Sequence, residues 1–166
     1  MILGMSIGAF TLLHVIITLI AIGSGLIVVG GMFASHKLPG TTALFLSTTA
    51  LTSLTGFLFP IKSFTPALGV GIVACVIFAA ALFALYKERL AGQWRWIYVI
   101  TAIVSLYLNV FVLIAQSFMK VPALKALAPT GSEPPFAIAQ GATLATFIVI
   151  TLIAVANFRP VTAVRM

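Results

Sequence analysis

The sequence predicts an all-α integral membrane protein: one bundle of five transmembrane helices, with the N-terminus outside and the C-terminus inside. Three observations carry this. Of 166 residues, 62% are hydrophobic and 7% charged, whereas soluble domains run at about 45–50% apolar and about 25% charged. The mean hydropathy of +1.26 agrees. The apolar residues also fall into five continuous runs, each near the roughly 20 residues a helix needs to cross about 30 Å of hydrocarbon. Water-soluble enzymes, disordered regulators and disulfide-stapled domains are excluded on composition alone.

The runs cover residues 6–34, 41–59, 66–86, 97–118 and 136–158, and together they form a single transmembrane domain. Transmembrane strands would alternate polar and apolar residues, and a segment such as 76–85 is apolar throughout. Backbone groups in lipid have to be satisfied within the segment, so each run is expected to be helical. The first run lacks a basic flank before its apolar stretch and is read as a retained helix rather than a leader. The second carries eight Ser or Thr, and a re-entrant hairpin is its alternative. Pro39, Pro60, Pro66 and the stretch 87–96 mark the breaks. The connection 119–135, with five Pro or Gly, is expected to be irregular throughout.

Orientation comes from the basic residues. With the N-terminus outside, Lys37, Lys87, Arg89, Arg95, Arg159 and Arg165 fall inside, and Lys62, Lys120 and Lys125 outside. The positive-inside rule favours that arrangement. The net charge of +7 is not read as a nucleic-acid surface, because the basic residues are dispersed over loops. Trp94, Trp96 and Tyr98 cluster where an interfacial aromatic belt belongs.

Chemistry is sparse. Glu88 and Glu133 are the two carboxylates and lie in loops on opposite sides. There is no carboxylate pair, metal-ligand cluster or phosphate loop, so the chain is read as non-enzymatic. Cys75 is read as a small packing residue. Small-residue spacings at Gly4/Gly8, Ala21/Gly25 and Gly23/Gly30 offer close helix packing.

The informative residues are neutral and polar inside the spans. Thr101, Ser105, Asn109 and Gln116 share a face of the fourth span. His14 and Thr18 share a face of the first with Ala21 and Gly25. Thr41, Thr48, Thr52 and Thr55 form a stripe on the second, and the fifth offers Gln140, Thr143 and Thr151. Polar side chains are costly against lipid, so these faces are expected to meet, either as interhelical hydrogen bonding or as a lined cavity. The ligand-binding candidates are His14, Thr18, Thr52, Ser105, Tyr107, Asn109 and Gln116. Spans one and four are expected to be neighbours, with His14 between the depths of Gln116 and Asn109 and closer to Asn109.

The leading expectation is an accessory subunit, or a small permeation or ligand-binding module, of a bacterial inner membrane. It would work as a homo-oligomer or within a larger membrane complex, without cofactor, metal or nucleic acid. The alternative is a redox subunit holding haem b or quinone near His14, Tyr107, Asn109 and Gln116. His14 and His36 lie 22 residues apart, about 33 Å along a helix, so they cannot ligate one haem together.

Overall fold

The computed structural model describes residues 1–60 and 66–160, with the side chains of 66 and 67 left aside. Lys62 and Arg165, which enter the orientation argument, lie outside the described residues. The described chain is helical: α1 (Ile7–Phe33), α2 (Pro39–Phe57), α3 (Pro66–Leu82) continued by a π-helical turn (Phe83–Lys87), α4 (Trp94–Lys120), the short α5 (Pro122–Leu127) and α6 (Pro134–Asn157). Four of these stretches are long and apolar enough to cross a membrane: Ile7–Phe33, Leu68–Lys87, Trp94–Lys120 and Pro134–Asn157. The helix α2 is not among them. It is nonetheless one uninterrupted helix of 19 residues, about 28 Å long, and no hairpin interrupts it.

The connection 119–135 is not irregular throughout. Helix α4 runs on to Lys120, and Pro122 then opens α5. The reason is the position of the prolines. Proline lacks an N–H that the first helical turn does not use, and its fixed φ suits that turn. Pro39, Pro122 and Pro134 therefore start helices, and α3 likewise begins at Pro66. Ser6 caps α1, its hydroxyl accepting from the Ala9 N–H at 3.2 Å.

Helix α4 is central, touching α1, α2, α3 and α6, and the most extensive pairing is between α1 and α2. Val99, Ala102, Ile103 and Leu106 form its fully buried stripe. At the crossing of α1, α2 and α4 sits Gly25. A Cβ there would stand 2.7 Å from Leu106 Cδ1 and 2.9 Å from Phe45 Cε2. Spans one and four are neighbours, as expected. Outward faces are apolar: Leu12, Ile16, Leu19 and Ile27 on α1, and Leu44, Leu51, Leu54 and Leu58 along α2, are exposed. In water such a surface would drive aggregation; against acyl chains it costs nothing.

The end of α6 is pinned at two points. Arg95 Nη1 donates to the carbonyls of Val155 and Phe158, satisfying acceptors that a helix C-terminus leaves open. The Arg159 N–H donates to Ser35 Oγ at 2.8 Å, tying the tail to the turn between α1 and α2. Gly31 lets that turn close, since a Cβ there would meet Leu38 Cδ1 at 2.7 Å.

Candidate functional site

The polar residues inside the bundle converge on α2. His14 Nδ1 lies 2.7 Å from Thr55 Oγ1. Thr18 Oγ1 lies 3.4 Å from Thr52 Oγ1, and Asn109 Nδ2 donates to Thr49 Oγ1 at 3.4 Å. Near the start of α2, Thr42 neighbours Tyr98 of α4. Positions 52 and 55 thus face α1, while 42 and 49, a heptad apart, face α4. Helical spacing explains the division, because residues three and seven apart share neighbouring faces. Phe59 closes the seam over His14, its ring edge-on at 5.4 Å, and packs on Phe10 at 5.1 Å.

This seam differs from the expected polar centre. Thr55 and Thr49 are six residues apart, about 9 Å along α2. His14 therefore stands nearly two turns from Asn109 rather than close to it, because each finds its hydroxyl partner on α2 and not on the other's helix. Ser105 is fully buried, and its hydroxyl returns to the Thr101 carbonyl at 2.8 Å. Gln116 is half-buried near the end of α4, and among the described residues no hydrogen bond joins it to the seam. Tyr107 points the other way. Two residues before Asn109, it lies on the α6 side of α4, with its ring 5.5 Å from Phe147 and 6.0 Å from Phe111. There it lines an apolar groove of about 230 Å³ with Ile103, Leu144, Ile148 and Leu152. The notch over Gly25 is filled by Phe45 and Leu106.

Most other intramembrane hydroxyls also bond to their own helix. Thr18, Ser24, Thr48, Thr101, Thr143 and Thr151 each donate to the carbonyl four residues back. On α6, Gln140 Nε2 donates to the Phe111 carbonyl at 3.1 Å. Its Oε1 is buried with no partner among the described residues. No group of three or more His, Cys, Asp or Glu side chains that could hold a metal is found among them.

A second site, not legible in the sequence, lies at the end of the bundle where α1 and α3 finish and α2 and α4 begin. A cavity of about 170 Å³ has apolar walls from Val28, Met32, Leu38, Leu85, Leu90 and Phe158. Thr42, Tyr98, Tyr86, His36 and Lys37 supply its polar lining. One wall is conformationally unusual. The α3 helix widens into the π turn at Phe83–Lys87, and the Leu90 N–H reaches back to the Ala84 carbonyl at 3.0 Å. Arg89 and Leu90 then take left-handed φ values of 51° and 64°, each costing of order 1–2 kcal/mol. The result turns the buried Leu90 side chain into the wall. Strained backbone and π turns both concentrate at functional sites. Among the described residues, Lys37, Lys87, Arg89, Arg95 and Arg159 lie at this end against one carboxylate, Glu88.

The fold and these sites define an all-helical integral membrane protein whose polar interior is organised by α2. Comparison with known proteins finds no matching family model, no matching curated protein and no matching solved structure.

Proposed function

We propose that the chain is a five-span, non-enzymatic protein of a bacterial inner membrane, with its N-terminus outside. It serves as a ligand-binding or accessory subunit, in a homo-oligomer or a larger membrane complex. The fifth span is α2. Its low hydropathy has a structural explanation: its Thr face is turned onto α1 and α4, while Leu44, Leu51, Leu54 and Leu58 face outward. A helix with one face buried in protein does not need to be apolar all round.

The observation that carries the functional reading is how the interior hydroxyls are occupied. They bond across the seam or back to their own helix, which is the pattern of packing rather than of a solute path. Of the two cavities, the groove beside Tyr107 is walled mainly by apolar side chains, whereas the one at the basic end has a polar lining and is the place for a polar ligand. Affinity purification from native membranes in mild detergent, followed by native mass spectrometry, tests the reading. Bound ligand, a copurifying subunit or a second copy is the expected outcome. A strict monomer carrying nothing would overturn it.

A further inference from the structure

We infer that the cavity lined by His36, Lys37, Thr42, Tyr86 and Tyr98 binds the phosphate of an anionic membrane lipid, an inference that rests on the ligand-binding reading above. The location argues first. The cavity opens among helix ends, and Trp94 and Trp96 belong to the interfacial aromatic belt. This is the depth at which lipid headgroups lie.

Charge argues second. Five basic residues stand against one carboxylate at this end among the described residues. Basic pockets between transmembrane helices recognise anionic headgroups. His36 and Lys37 line the cavity and are exposed at its rim, where holding an anion does not require burying a charge.

The division of the lining argues third. Thr42 and Tyr98 bring hydroxyl-bearing side chains to the lining, while Val28, Met32 and Leu85 make apolar wall. A free anion gains nothing from an apolar wall. A phosphate ester carrying glycerol and acyl carbons matches both halves. The volume of about 170 Å³ compares with roughly 30 Å³ per water in the liquid. That is room for a headgroup phosphate and its first carbons, with the acyl chains left to run along the lipid-facing grooves. The π turn and the left-handed Leu90 hold that wall open in a conformation the chain would not choose without reason.

The test is native mass spectrometry of the detergent-purified protein titrated with short-chain phosphatidylglycerol, with short-chain phosphatidylcholine, and with inorganic phosphate alone. The phosphatidylglycerol adduct is expected to form at lower concentration than the phosphatidylcholine adduct. Lys37→Gln is expected to weaken it about fivefold, and Tyr98→Phe to weaken it further without changing secondary structure. Lys125→Gln removes the same charge at the opposite end and is expected to leave binding unchanged. Equal binding of the two lipids, or equal loss in Lys37→Gln and Lys125→Gln, would overturn the inference. Displacement of the lipid by millimolar inorganic phosphate would reassign the site to a free anion and overturn the lipid assignment. If no lipid binds but a subunit copurifies, the inference falls and the accessory-subunit reading stands; if nothing binds at all, both fall.

Discussion

His14 Nδ1 and Thr55 Oγ1 lie 2.7 Å apart, joining α1 to α2, and the direction of that bond goes with the His14 tautomer. The threonine hydroxyl has one proton, and it is already 2.7 Å from the Leu51 carbonyl. With that proton on the carbonyl the oxygen accepts and His14 donates from Nδ1–H; in the other tautomer Thr55 donates to Nδ1 instead. A neutral ring that donates from Nδ1–H carries its lone pair on Nε2.

Thr55→Val leaves that N–H without an acceptor. An average interhelical hydrogen bond in a membrane is worth about 0.6 kcal/mol, but a stranded buried donor costs about 1–3 kcal/mol. Because His14 is half-buried, the cost falls toward the lower end of that second range. Thermal unfolding in detergent should show Thr55→Val less stable by that amount, with Thr55→Ser close to the parent because it keeps the hydroxyl. Nitrogen-15 spectra of the histidine ring should show Nδ1 protonated; the opposite tautomer would reverse the assigned direction.

Gly25 and Gly23 are two residues apart on α1 and should respond oppositely to the same change. A Cβ at Gly25 would meet Leu106 and Phe45 within 3 Å, and at Gly23 or Gly30 nothing lies within 4 Å. Gly25→Ala is overpacking, expected to cost about 1–3 kcal/mol. Gly23→Ala adds a methyl in open space and trades a poor helix former for the best, so stability is unchanged or raised by up to about 1 kcal/mol. Melting curves of the two variants decide it; equal losses would mean that the α1–α2–α4 crossing is not as tight as described.

The helices were legible because continuous apolar runs have few alternatives in lipid, and the observed elements fall on the predicted segments within a few residues. Pro39, Pro122 and Pro134 mark breaks in the sequence and yet start helices, since sequence shows a Pro but not which side of it continues as helix. The hydroxyl stripe containing Thr52 and Thr55 was visible, as was the face bearing His14 and Thr18. Their pairing was not, because it depends on the relative rotation of α1 and α2. Tyr107 was grouped with Asn109 by proximity in sequence, yet two positions on a helix point about 200° apart. The cavity at the basic end draws its lining from five separate segments, and its π turn and left-handed Arg89 and Leu90 carry no glycine to announce them.

The Glu133 carboxylate, at the start of α6, gives the opposite end a pH dependence. Desolvation raises its affinity for a proton, but the Thr130 N–H at 3.0 Å, its own N–H, the Thr130 hydroxyl at 2.9 Å and the Ser132 N–H at 3.1 Å together prevail. Its pKa is pushed down from 4.5 to about 2. For a depressed carboxylate the stabilisation is fully present above the ordinary value and is lost as pH falls through the lowered one. Order in the turn at residues 130–133 should therefore persist at pH 4 and fade toward pH 2. A carboxyl resonance titrating near 4.5 in a detergent NMR experiment, or no change in the turn on Glu133→Gln, would contradict these hydrogen bonds.

Whether α2 crosses the membrane is decided by parity. If only the four more apolar stretches cross, the two termini lie on the same side; if α2 crosses as well, they lie on opposite sides. Helix α2 has the reach for crossing, about 28 Å, and pairs with α1 more extensively than any other two helices do. Its exposed Leu44, Leu51, Leu54 and Leu58 carry the apolar face from one end of the helix to just past the other. An interfacial helix would instead present one polar flank to water, whereas the Thr flank here is taken up by His14, Thr18, Asn109 and Tyr98. On the five-crossing proposal, the basic excess at the end holding Lys37, Lys87, Arg89, Arg95 and Arg159 would put the N-terminus outside and the C-terminus inside. A reporter active only in the periplasm should be active when fused at the N-terminus and silent at the C-terminus, and a cytoplasmic reporter should give the reverse. Activity of the same reporter at both ends would remove α2 from the membrane, and exchange of the two signals would invert the orientation.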